Sequence, residues 1–202
     1  MSAHIYLEGG GSKELDIRCR EGFRKLLESC GFGQQRRMPR LFACGGRASA
    51  YDDFVTAHVN SGEGYVAMWI DSEEPITNIE NAWTHLATVT NVQRWNRPVG
   101  ANDDQVLFMT TCMESLIVAD RETLRQEFGA ALQESALPPL INLEQRSRHD
   151  VQNGLLHATR NCSKQYSKGK LSFIILGNLV PATLEEHLPS FRRVRRVLRD
   201  KL

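Results

Sequence analysis

The chain has 202 residues, 41% of them hydrophobic and 24% charged, with a formal net charge of +1. That length can bury one sizeable core, and no apolar run approaches the ~18 residues that a bilayer-spanning helix requires. The start, MSAHIYLEGG, lacks the basic head and apolar stretch of a secretory signal, so a cytoplasmic protein is expected. The five cysteines are scattered without a CxxC pair, which argues for reduced thiols rather than a zinc ribbon or a disulfide framework.

In chain order, HIYL (His4 to Leu7) reads as a short buried strand that delivers Glu8 to its carboxyl end. Gly9, Gly10 and Gly11 turn the chain through Ser12 and Lys13 into a helix reaching Cys30, with Leu15, Cys19, Phe23, Leu26 and Leu27 at helical spacing. A basic turn, QQRRMPR, precedes a second strand, LFAC (Leu41 to Cys44), followed by Gly45, Gly46 and Arg47. A helix from Ser49 to Asn60 is expected next, then a continuous apolar strand, Tyr65 to Ile70, that runs into Asp71-Ser72-Glu73-Glu74-Pro75. A helical stretch from Ile79 to Thr90, a loop from Asn91 to Asp104 with Trp95 near a site or an interface, and a fourth strand, Gln105 to Thr110, follow. The helical segment after it is broken or recapped at Asp120.

Pro138-Pro139 marks a boundary between an α/β domain, 1–137, and a basic helical C-terminal extension, 138–202, packed on it. Helices are expected from Asp150 to Asn161, from Leu171 to Leu179, and from Ser190, as N-cap, to the end. The alternation of strands and helices predicts an α/β fold with a mostly parallel sheet flanked by helices. From Gln145 onward 12 basic residues face four acids, a balance of +8, which leaves −7 for the rest. Such a dipole suits either a polyanionic substrate, with metal ligands in front and phosphate contacts behind, or two halves that attract each other.

Glu8 and the Asp71-x-Glu73 pair leave different strands and can meet across the top of a parallel sheet. Hard carboxylate oxygens of this kind suit Mg²⁺ or Mn²⁺, and alternation along an extended segment would put Asp71 and Glu73 on one side. Gly9, Gly10 and Gly11 either cradle a phosphate at the helix start, with Lys13 beside them, or simply make a tight turn. Neither GxxxxGK[ST] nor GxGxxG is present, so a nucleotide P-loop and a dinucleotide fingerprint are excluded. Glu114, in an apolar helix, must be paired, neutral or metal-bound. Arg47 is a candidate for a phosphate contact or a structural ion pair. Lys164, Lys168 and Lys170 form a basic loop around Tyr166, which is available for stacking.

Glu-Gly-Gly after one strand and Asp-x-Glu after another resemble the Toprim pattern of topoisomerases, primases and OLD-type nucleases, with Glu73 in place of a second Asp. The stretches IYLEGGGSK, RMPRLFACGGR, AYDDF, DSEEP, QVLFMTTCMESLIVAD and YSKGKLSFIIL resemble more closely a bacterial family known as domain of unknown function 4276, regarded as Toprim-like. Leu116 departs from the aromatic expected after Met-Glu-Ser. The resemblance implies a Toprim-like fold, a Mg²⁺ or Mn²⁺ site, and phosphodiester hydrolysis of RNA or DNA. It also implies a role in anti-phage defence beside an ATPase partner. On that reading Glu8, Asp71 and Glu73 hold the metal, and Glu114 assists them. The alternative is a regulatory subunit without turnover, docked on the ATPase through the basic C-terminal helix; hydrolysis of a small nucleotide is a further option.

Overall fold

The computed structural model describes residues 3–34, 37–60, 62, 64–90 and 92–202. Gln35 and Arg36, in the expected basic turn, and Asn91, at the start of the expected loop, lie outside the described residues. Four strands, β1 (Ala3–Leu7), β2 (Arg40–Ala43), β3 (Tyr65–Asp71) and β4 (Val106–Met109), form one all-parallel sheet in the order β2-β1-β3-β4. Nine α-helices among the described residues flank it, with a helical C-terminal region, as expected for an α/β fold.

Side-chain alternation divides the core between the two faces of the sheet. Ile5, Leu7, Ala67, Trp69, Leu107 and Met109 point to one side, and Val66, Met68, Ile70, Val106 and Phe108 to the other. On the first face lies α1 (Lys13–Ser29), which buries Cys19, Phe23, Leu26 and Leu27. On the second lie α2 (Arg47–Asn60), through Ala50 and Phe54, and the short α3 (Ala82–Thr88), through Trp83 and Leu86. The chain moves from β1 outward to β2, then returns across β1 to β3. This reversal makes the gap between β1 and β3 the topological switch point, the place where open α/β sheets form sites. Glu8 and Asp71 stand at its rim.

The first face also receives α4 (Met113–Ala119), α5 (Arg121–Phe128), α6 (Arg148–Thr159), α7 (Lys170–Leu176), α8 (Pro181–His187) and α9 (Pro189–Lys201). Asp120 caps α5, its carboxylate accepting from the Thr123 N–H at 3.1 Å, in line with the expected break there. The residues after Pro138 share the hydrophobic core of the sheet's first face: Val151, Leu155, Phe173, Ile175, Leu184, Phe191 and Val194 pack with Leu7 and Trp69. α7 lies directly on α1, where Gly22 lets the backbone of Phe173 approach.

Several sequence expectations need correction. α3 is shorter than expected, and α8 was not foreseen, being a short segment set between Pro181 and Pro189. Ser190 does not cap α9. Pro189 is already its first residue, and the Ser190 N–H and hydroxyl both donate to the buried Glu144 carboxylate, which takes the capping role from another part of the chain. Trp95 is a core residue, stacked on Tyr51 at 4.3 Å between ring centres. The basic C-terminal helix makes several ties within its own chain. Buried Arg193 donates to the carbonyls of Val106 (2.8 Å) and Asp103 (2.6 Å), covering the free edge of β4. Arg195 pairs with Glu185, Arg196 with Glu80 and Lys201 with Asp104.

Two expectations test this packing. A Cβ on Gly22 would stand 2.5 Å from the Phe173 carbonyl oxygen. Gly22→Ala should therefore lower stability by about 1–3 kcal/mol in urea unfolding, despite the gain in helix propensity of up to ~1 kcal/mol. Burial raises the Glu144 carboxyl from 4.5 to about 7, against the lowering effect of its bonds from Ser190. The folded protein thus keeps this proton while the unfolded chain releases it, and stability falls as pH rises from 4.5 to about 7. Glu144→Gln should remove roughly 3 kcal/mol of that decline, read as the difference between the two proteins' stability curves across this window.

Candidate metal centre

The short loop after β1 is shaped by contact. Gly9 (φ +140°) sits where a Cβ would meet the Cys19 sulfur at 3.0 Å and the Phe173 ring at 3.1 Å, and a Cβ on Gly10 (φ +99°) would strike the Asp16 carboxylate. Only glycine fits such positions at these dihedrals. The Gly9 N–H donates to the Gly45 carbonyl (2.8 Å) and the Gly11 N–H to Asp16 Oδ1 (2.9 Å), so a phosphate cannot draw on all three amides. The loop's clearest role is to let Glu8 turn inward at the switch point.

Glu8 Oε2 accepts from the Asp71 backbone N–H at 2.9 Å, and Asp71 Oδ1 accepts from the Met113 N–H at 2.9 Å, at the start of α4. Each carboxylate has one oxygen fixed by a backbone amide, and the second Asp71 oxygen faces Arg148. Glu73 joins them, but not by strand alternation as the spacing suggested. β3 ends at Asp71, and Glu73 adopts a left-handed conformation (φ +68°), its N–H bonded to the Thr111 carbonyl at 3.0 Å. That backbone costs a non-glycine residue roughly 1–2 kcal/mol, and it swings Glu73 back toward Asp71. One oxygen from each of Glu8, Asp71 and Glu73 lies within 4.8 Å of the other two.

Glu8 and Asp71 line a pocket of about 230 Å³ together with Gly9, Gly10, Glu114, Arg148 and Lys168, and Glu73 stands beside it against Arg148. At ~30 Å³ per water, that is room for a partly hydrated cation and a phosphate group. Arg148, the first residue of α6, contacts Glu73 directly through Nη1 and places Nη2 3.8 Å from Asp71 Oδ2. Glu114 is only 1% exposed. It accepts from the Tyr166 hydroxyl (3.1 Å) and from Gln152 (3.2 Å), and lies 3.3 Å from Lys168 Nζ. Tyr166 is therefore buried as a hydrogen-bond donor and is not available for stacking.

Burial is the largest influence on both strand-end acids and pushes their carboxyls upward. Asp71 is raised further by Glu8 and Glu114 and lowered by Arg148 and Lys168. Glu8 is lowered by the Asp71 amide, then by Arg47, Arg148 and Lys168. Crowded acids of this kind gain from any added cation. The donor set is all carboxylate oxygen, the chemistry of Mg²⁺ and Mn²⁺. Three ligands spread evenly around an ion with ~2.1 Å bonds stand about 3.6 Å apart, so a closure of roughly an ångström would bring all three acids onto one ion. The guanidinium beside Asp71 and Glu73 shows that a cation is accommodated there. These residues fit a divalent metal.

The other expected site residues are dispersed. Arg47 is buried, with its guanidinium 3.9 Å from the centre of the Trp95 ring and Nη1 donating to the Gln93 carbonyl at 2.9 Å; it faces the acids as a nearby charge and not as an ion-pair partner. Lys13 is exposed on the first turn of α1 and does not line the pocket, nor does Gly11. Lys164 pairs with Glu127 (3.7 Å) and Lys170 with Glu14 (3.8 Å), both outside the pocket lining. Of the basic loop only Lys168 reaches the site. Arg148 and Gln152 were not singled out from the sequence. Their one signal was a separation of one helical turn, which puts both on the same face of α6.

The sequence profile of the family described as "Domain of unknown function (DUF4276)" matches residues 14–199. The matched region takes in Asp71, Glu73, Glu114, Arg148 and Lys168, while Glu8 and its glycines lie just before it. No curated protein and no solved structure matches the chain. With nearly its whole length matched, the chain belongs to the family described as domain of unknown function 4276.

Proposed function

We propose that the protein is a divalent-metal-dependent nuclease of Toprim type that hydrolyses phosphodiester bonds in RNA or DNA. The observation that carries this reading is the meeting of Glu8, Asp71 and Glu73 at the switch point, beside a pocket that Glu8 and Asp71 line with the cations of Arg148 and Lys168. Glu8, Asp71 and Glu73 would hold Mg²⁺ or Mn²⁺. Such an ion supplies an activated water and neutralises charge on a phosphate.

The chain's own residues do the rest. The backbone N–H groups of Asp71 and Met113 orient the Glu8 and Asp71 carboxylates, as second partners orient metal ligands elsewhere. Lys168 places a positive charge on the pocket wall, where a phosphodiester passing over the acids gains electrostatic stabilisation. Glu114, held by Tyr166 and Gln152, keeps that ammonium from swinging onto the metal ligands. The family resemblance supports a setting in anti-phage defence, with an ATPase as protein partner. Among the described residues no helix is long and apolar enough to cross a membrane.

The test is cleavage of end-labelled RNA, single-stranded DNA and duplex DNA by purified protein in Mn²⁺ or Mg²⁺, with and without a co-expressed ATPase. Cleavage of at least one substrate should vanish with EDTA. It should fall by at least about 10²-fold in Glu8→Gln and Asp71→Asn, while both variants keep a folded circular-dichroism spectrum. Cleavage without metal, or full cleavage by both variants, would overturn the reading.

A further inference from the structure

We infer that Arg148 is an internal counter-ion of the acid cluster, displaced when a divalent cation binds and then free to hold a phosphate oxygen of the substrate. This rests on the metal reading above. The guanidinium lies against the Asp71 and Glu73 oxygens that an ion would need. A divalent cation and a guanidinium cannot share those oxygens without like-charge repulsion, so one must leave.

The surroundings of Arg148 favour its side chain as the part that moves. The three acids are anchored by backbone: Glu8 on the Asp71 amide, Asp71 on the Met113 amide, and Glu73 by its own N–H to Thr111. α6 is anchored as well. Ser147 Oγ accepts from the Asp150 N–H at 3.1 Å, and Gln152, one turn beyond Arg148, bonds Glu114. Arg148 itself is 34% exposed along its side chain, so rotation about its own bonds carries the guanidinium into solvent at the pocket mouth and not into packed core. Lys168 is placed differently. Its ammonium is on Glu114, which is not one of the three clustered acids, and it can stay there when metal binds. Once displaced, the guanidinium remains tethered at the pocket that Lys168 also lines, and its planar fork matches two phosphate oxygens. Arg148 thus compensates the three acids until metal binds and makes phosphate contact conditional on metal.

The experiment is Mn²⁺ titration calorimetry on the wild type, Arg148→Gln, Arg148→Lys and Lys168→Gln, followed by binding of a fluorescein-labelled single-stranded oligonucleotide at saturating Ca²⁺. Arg148→Gln should bind Mn²⁺ at least about tenfold more tightly than wild type, with a smaller gain in Lys168→Gln, whose charge acts on the acids without occupying them, and Arg148→Lys between wild type and Arg148→Gln. The oligonucleotide should bind Arg148→Gln about tenfold more weakly. If wild type binds Mn²⁺ and Arg148→Gln binds it no more tightly, the counter-ion role fails while the metal site stands. Tighter Mn²⁺ binding with unchanged oligonucleotide affinity would overturn the phosphate contact. If none of the four proteins binds Mn²⁺, the metal reading falls and the inference with it.

Discussion

Two neighbouring parallel strands that each end in an acid bring two carboxylates together where the sheet offers little water. Everything around Glu8 and Asp71 answers that crowding. One oxygen of each takes a backbone N–H, Glu73 folds back to add a third acid, and Arg148 supplies a positive charge against Asp71 and Glu73. A structure that wanted only stability would place apolar residues here, since a buried charge is costly even when paired. That the chain instead adds Glu73, in a left-handed conformation, and Glu114 behind it argues that the negative potential has a use.

Arg148, Gln152, Tyr166 and Lys168 all come from beyond Pro138, whereas the acids they face come from before it. The charge imbalance between the two parts of the chain is therefore met largely inside one folded unit, both at the site and along α9. The choice between a polyanion-binding dipole and mutual attraction resolves locally. Most of the α9 cations hold the fold, while Arg148 and Lys168 border the pocket.

The parts of the fold that were legible in the sequence are those controlled by local periodicity. Apolar runs such as Tyr65 to Ile70 mark strands because both faces of an inner parallel strand are covered, and the Cys19, Phe23, Leu26 spacing marks α1 because one helical face is buried. The errors fell where a distant partner overrides local preference. Ser190 looks like an N-cap until Glu144 reaches it from 46 residues away. Tyr166 and Lys164 look like one exposed basic loop until the chain after α6 buries the first and turns the second toward Glu127. Asp71 and Glu73 do converge, but through a turn whose dihedrals the D-x-E spacing does not reveal.

From the sequence alone came the α/β class, the four strands, the acids at their ends and the glycine turn that frees Glu8, because strand burial and glycine chemistry are properties of adjacent residues. The tertiary structure alone decided which cations attend those acids. Lys168 does, and Lys13, Lys164 and Lys170 do not, while Arg148 enters from a helix that no local pattern connects to β3. Long flexible cations take their partners from whatever packing brings within a few ångströms. In this chain that packing is the close approach of α7 to α1 at Gly22 and the placement of α6 beside α4, contacts between segments more than a hundred and about forty residues apart.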